Sequence, residues 1–121
     1  MLHHVDIHVR DLDAARSLFD AIAPHIGYRK LSEEPEFAGY EAADGGRPRF
    51  GLILDPKHQS GSMRLAFSVE TRQQVDAAAR AAREQHADTI EGPGLHPEYG
   101  DYYAVFFEDA DGNKFEIVAL H

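Results

Sequence analysis

Near the N-terminus the chain reads LHHVDIHV, which places His3, His4 and His8 within six residues. In an extended segment side chains alternate between faces, so His4, Asp6 and His8 share one side and Val5, Ile7 and Val9 the other, with His3 pointing away from His4. Imidazoles and a carboxylate on one face can hold a divalent metal, or move protons near neutral pH, where histidine titrates. The same pattern is also the polar side of an ordinary strand. Toward the C-terminus Glu116 lies between Phe115 and Ile117 in an alternating run, so it faces away from the apolar side. A carboxylate buried there is a candidate acid or base beside a histidine. The stretch GLHPEYGDYY (94–103) adds His96, Tyr99, Tyr102 and Tyr103. It reads either as a lid recognising an aromatic or polar small molecule, or as a packed surface loop stiffened by Pro93 and Pro97.

Other chemistries lack their residues. There is no cysteine, which removes disulfides and thiolate metal sites, and no glycine-rich phosphate loop or serine-centred nucleophile elbow. The net charge of −9 and the scattered basic residues argue against nucleic acid and anionic membranes as partners. No apolar run approaches the roughly 20 residues of a membrane span, and no basic-then-apolar signal segment opens the chain, so the expected location is cytoplasmic. His25, His86 and His121 form no pattern and read as surface residues, as does PKH at 56–58.

The elements that must position these groups come in two matching sets. HVDIHV (4–9) predicts a strand. RDLDAARSLFDAIAPHIGY predicts a helix with Leu12, Ala15, Phe19 and Ile22 on one face, Asp11 as N-cap, and Pro24 and Gly27 ending it. Extended stretches follow at about 28–33, 37–43 and 48–54. RLAFSV (64–69) restarts the pattern. ETRQQVDAAARAAREQHA predicts a second helix with a Thr71–Gln74 capping box and a small-residue stripe of Val75, Ala78, Ala79 and Ala82. Strands are expected at about 88–91, 102–108 and 114–120. His4 matches Arg64 and Val9 matches Val69, each 60 residues on, and FGLIL (50–54) matches FEIVA (115–119), pairing Gly51 with Glu116. The expectation is an α+β fold of 121 residues built from two βαβββ modules, about 1–56 and 62–121, joined by DPKHQSGS, with a cleft between the halves.

With HVDIHVRDLDAARSLFD at one end and YYAVFFEDADGNKFEIVAL at the other, the chain resembles the vicinal oxygen chelate superfamily, which includes glyoxalase I, bleomycin- and fosfomycin-resistance proteins and extradiol dioxygenases. The segment GPGLHPEYGDYYAVFFEDADGNKFEIV also resembles a subgroup of small bacterial glyoxalase-like proteins. The resemblance implies paired βαβββ modules forming a curved mixed sheet around a cavity, and a homodimer. In metal-dependent members, four positions on the first and last strands of the modules hold a divalent ion that binds neighbouring substrate oxygens. Carried over, those positions are His4, Gly51, Arg64 and Glu116, so two ligands are absent. Arginine has no lone pair to donate. Its guanidinium can pair with Glu116 or clamp an anionic group of a ligand.

The function these residues imply is a glyoxalase-like enzyme of lyase, isomerase or dioxygenase type acting on an oxygenated metabolite. His4, Glu116 and Arg64 are its candidate catalytic groups, and Asp6, His8, His96 and Tyr102 or Tyr103 line the pocket. His4 and Glu116, with Asp6 or His8 and water, are also the candidate ligands of one divalent metal (iron, zinc, manganese or nickel), the alternative being no metal. The rival is a non-catalytic binding protein of the bleomycin-resistance type, for which the negative charge favours a cationic drug or amine. A third possibility is a degenerate module closed by an Arg64–Glu116 pair.

Overall fold

The computed structural model describes residues 1–120; His121 lies outside the described residues. The elements are β1 (His4–Val9), α1 (Leu12–Ile22), β2 (Tyr28–Glu34), β3 (Phe37–Ala42), β4 (Arg49–Leu54), β5 (Arg64–Val69), α2 (Arg72–Glu84), β6 (Asp88–Leu95), β7 (Tyr103–Glu108) and β8 (Lys114–Ala119). A 3₁₀ turn follows α1 at Ala23–His25, and another spans Pro97–Tyr99. Both helices start where their caps dictate. Asp11 accepts from the Ala14 N–H at 3.0 Å. Thr71 and Gln74 form the reciprocal capping box, satisfying two N–H groups that the first turn cannot bond internally.

The fold is α+β, with two four-stranded mixed sheets ordered β1-β4-β3-β2 and β5-β8-β7-β6. In each, the first strand pairs in parallel with the last, setting Asp6 beside Gly51 and Ala66 beside Glu116. β1 and β5 carry the same burial pattern residue for residue, so the sequence repeat is a structural repeat. β6 runs to Leu95, beyond the 88–91 its composition predicts. Its pairing with β7 skips between Glu91 and Gly94, and Gly92 lies so close to the strand that a Cβ there would stand 2.8 Å from the Ala104 carbonyl oxygen. Only a residue without a side chain lets the strand continue through this irregularity.

The two sheets are not closed on each other. Cavities lie between the modules, one of them lined by Val5, Tyr28 and Phe50 from the first and Leu65 and Phe67 from the second. Val9, Phe19, Leu52, Val75, Phe115 and Ile117 belong to one buried cluster shared by both modules. Phe19 meets Phe115 with centroids 5.0 Å apart, and Phe50 meets Phe67 at 5.2 Å. The polar strand faces therefore turn away from this core, and β1 and β5 each remain at a sheet edge.

A polar clamp fixes one module on the other. In the turn between β7 and β8, the buried Asp111 carboxylate accepts from the Arg10 backbone N–H (2.8 Å), Arg10 Nε (2.9 Å) and the Asp11 N–H (3.3 Å). Burial pushes the Asp111 carboxyl up, but these donors outweigh it and hold the group below the usual carboxylate range. A depressed folded-state value stabilises the fold above the unfolded value, about 3.9, and that stability is lost as pH falls through the folded value. Asp111→Asn should lower unfolding free energy by about 1–3 kcal/mol in urea titrations at neutral pH. The gap between parent and variant should close as pH drops below about 4.

Candidate functional site

A cavity of about 590 Å³ opens on the polar face of the second module and is lined by Arg64, Glu91, His96, Tyr99, Tyr102, Phe106, Glu116 and Leu120. Alternation along β8 sends Phe115 and Ile117 into the core and Glu116 outward, yet Glu116 is only 6% exposed. Its carboxylate accepts a hydrogen bond from the Tyr102 hydroxyl. Burial, then this bond to Glu116, push the Tyr102 phenol up to about 12, so it is a proton donor and not a base at neutral pH.

Arg64 starts β5 at the pocket's edge. Its guanidinium carbon lies 4.9 Å from the centroid of Phe106. The expected Arg64–Glu116 ion pair is not formed, because the parallel register sets Arg64 beside Lys114 and Glu116 beside Ala66, two residues farther along. The reading of a module closed by that pair is thereby set aside. His96 packs edge-on against Phe106 with centroids 5.2 Å apart, while its Nδ1 lies 3.1 Å from Glu98 Oε1.

His4 and Asp6 stand elsewhere. They line a smaller cavity of about 190 Å³ on the first module, with Phe37, Arg49 and Gly51. His4 Nε2 lies 3.6 Å from Asp6 Oδ2. His3 corrects its expected direction: it lies in the same cavity, with its Nδ1 2.9 Å from that of His4, because it precedes the strand and alternation does not govern it. His8 bonds Asp55 at 2.9 Å, at the groove between the edges of β1 and β5, and holds that carboxyl below its ordinary range. Tyr103 does not reach the Glu116 pocket. It turns to the helix side, where its hydroxyl donates to Asp76 on α2 at 2.5 Å.

The structure thus gathers Arg64, His96, Tyr102 and Glu116 in one pocket and leaves His4, Asp6, His8 and Tyr103 outside it. Sequence reasoning missed Glu91, Phe106 and Leu120. Phe106 was legible from its alternation with Val105 and Phe107; Glu91 follows only from the register that sets it opposite Phe106.

The missing ligand at Gly51 also has a steric side. A Cβ there would lie 2.6 Å from Phe37 Cε1 and 3.3 Å from Asp6 Oδ1, so the Phe37 ring covers the place where Glu116 stands in the other module. Within one chain the residues do not fit a divalent metal. Among the described residues no group of three or more His, Asp or Glu side chains comes together. Glu116 is engaged by Tyr102, and a guanidinium shares its pocket. Among the described residues no helix is long and apolar enough to cross a membrane.

Comparison with known proteins agrees with this geometry. Residues 1–117 match the model of the Glyoxalase/Bleomycin resistance protein/Dioxygenase superfamily, and the chain belongs to that family. More particularly, it is 29% identical to Uncharacterized protein YqjT of Bacillus subtilis (strain 168), with 98% of each chain covered. A glyoxalase/bleomycin resistance protein from Albidiferax ferrireducens T118 is 25% identical, superposes with a TM-score of 0.84 and covers 98% of each chain. The fosfomycin resistance protein FosX from Listeria monocytogenes shares the fold at 15% identity, with a TM-score of 0.74, over 98% of this chain and 92% of that one.

Ultraviolet titration should show a tyrosine ionising at about 12 that disappears in Tyr102→Phe. In Glu116→Gln its midpoint should fall part of the way toward about 10, the remainder being burial.

Proposed function

We propose that this chain binds a small molecule in the second-module pocket without a metal. One observation carries this. A buried carboxylate, Glu116, is already hydrogen-bonded by Tyr102 and lies in a ring-lined cavity with the Arg64 guanidinium, which supplies the positive charge where metal-dependent relatives have a ligand. A pocket of this size falls in the range of small-molecule sites, and its aromatic rings and charged groups can fix a ligand's orientation. The similarity to a glyoxalase/bleomycin resistance protein supports a small-molecule site.

A second reading is metal-independent catalysis of lyase or isomerase type, favoured by the same pocket. Glu116 would accept a proton and Arg64 would stabilise the negative charge that develops on the substrate. His4 lies outside this pocket, so it takes no part in either reading within one chain.

The proposed assembly is a homodimer. His4 and Glu116 line different cavities of one chain, so only a second copy can bring those faces together. Apolar side chains exposed at both rims support this: Leu120 at one cavity and Leu31 at the other, 52% and 46% exposed. The proposed location is cytoplasmic.

Equilibrium dialysis of untagged protein against a cell extract filtered to small molecules, read by mass spectrometry, tests the binding. A ligand should be retained equally with and without a chelator, and lost in Glu116→Gln. Retention that vanishes with the chelator, together with one metal per chain removed by His4→Ala and Glu116→Gln, would defeat the metal-free reading. Exchange of a substrate C–H in deuterated water, abolished by Glu116→Gln, would select the enzymatic one. Sedimentation should show a dimer that Leu120→Lys or Leu31→Lys dissociates; a monomeric parent would remove the assembly.

A further inference from the structure

Four rings line the second-module pocket, and most of them meet at steep angles. Phe106 and His96 meet at 80° with centroids 5.2 Å apart, His96 and Tyr102 at 89° and 6.4 Å, and Tyr99 and Tyr102 at 65° and 5.2 Å. His96 and Tyr99 lie nearer parallel, at 25° and 6.3 Å, so the rings form the walls of the pocket and not a single stack. An aromatic face carries negative quadrupole charge and attracts cations.

Carboxylates complete the walls. The strand register runs Glu91 on β6, Phe106 on β7 and Glu116 on β8, so one ring lies between two acids on neighbouring strands. Arg64, the one guanidinium in the lining, is placed over that ring, 4.9 Å from its centroid. Among the described residues no carboxylate lies within ion-pair distance of it, although two line its pocket. The favoured place for positive charge in this cavity is therefore the face of Phe106, and a residue of the protein occupies it. An anion clamped by Arg64 would instead sit beside Glu91 and Glu116 and be repelled by both. The net charge of −9 draws cations toward the molecule and repels anions.

The geometry points to an organic cation, a substituted ammonium on a small body, as the ligand of this pocket, an assignment that rests on the pocket proposed above. The ammonium lies over Phe106 between Glu91 and Glu116, bordered by Tyr99, Tyr102 and His96. Arg64 is the resident cation it displaces. As an exposed side chain at the first position of an edge strand, Arg64 can swing into solvent.

Benzyltrimethylammonium and benzoate, equal in ring size and opposite in charge, separate the possibilities when titrated into the full chain and followed by tyrosine fluorescence. The ammonium probe should bind saturably and more weakly as salt is raised. Glu91→Gln and Glu116→Gln should each weaken it about tenfold, Tyr99→Leu several-fold, and Arg64→Gln should tighten it several-fold. Glu91 is exposed, so its variant reports on charge even if Glu116→Gln perturbs folding. Preferential binding of benzoate, lost in Arg64→Gln, would overturn the cation assignment and leave the pocket standing. Ammonium binding indifferent to both glutamate substitutions would overturn it too, as would failure of the ammonium probe to bind. The extract dialysis judges the pocket separately.

Discussion

Each sheet has one apolar and one polar face; α1 packs on the first, α2 on the second and the helices on each other, and a single core runs through both modules by way of Phe19, Phe50, Phe67 and Phe115. Aromatic contacts of this kind are worth about 0.5–1.5 kcal/mol each beyond the area they bury. None of these rings can turn outward without exposing its partners to water. This shared core dictates where chemistry can occur. With the apolar faces committed to it, the polar faces carry the cavities that hold His4 and Glu116. His4 and Glu116 line different cavities, one in each module.

The segment EDADGNKFEIV carries most of the family resemblance, and nearly all its polar groups are committed to folding. Asp109 is buried; its Oδ1 accepts from the Asp111 and Asn113 backbone N–H groups, and its Oδ2 from the Asn113 side chain. Burial raises its carboxyl despite those donors. Asp111 holds Arg10 and Asp11 of the other module, and Asn113 donates to the His8 carbonyl at 3.0 Å. Of the acidic groups here, Glu116 alone reaches a cavity and accepts a bond from its wall. A signature of this kind identifies the fold and leaves the reaction open, because the interactions that preserve it hold the modules together.

The elements were legible because their signals are local. Alternation at 4–9 and 64–69 and the caps at Asp11 and Thr71 depend on neighbours within four residues, and the structure places all of them as expected. The two halves were legible from the 60-residue spacing of His4 and Arg64. The relative placing of the modules was not, since alternation says which side of a strand is apolar but not what covers it. His4 and Glu116 were joined on the assumption of a shared cleft, whereas the structure sets them in different cavities of one chain. Tyr102 and Tyr103 were inseparable in sequence because the strand start decides their faces. The strand begins at Tyr103, leaving Tyr102 free to cross to Glu116.

The repeat also shows how one backbone supports two different surfaces. In the first module the position beside Asp6 is Gly51, and the Phe37 ring packs down on it and on Gly39. In the second, the position beside Ala66 is Glu116, and the ring is Phe106, directly across the strand pair. An aromatic lying along a glycine pair seals its cavity to about 190 Å³, whereas one standing beside a carboxylate forms a wall of a cavity of about 590 Å³. Arg64 stands in the second module where the first has His4. A histidine there would leave the face of Phe106 open, while a guanidinium covers it. The carboxylate, the ring and the cation that define the pocket thus all lie at positions where the modules differ, and the shared positions carry the fold. Function in this chain is concentrated in the departures from its own internal symmetry.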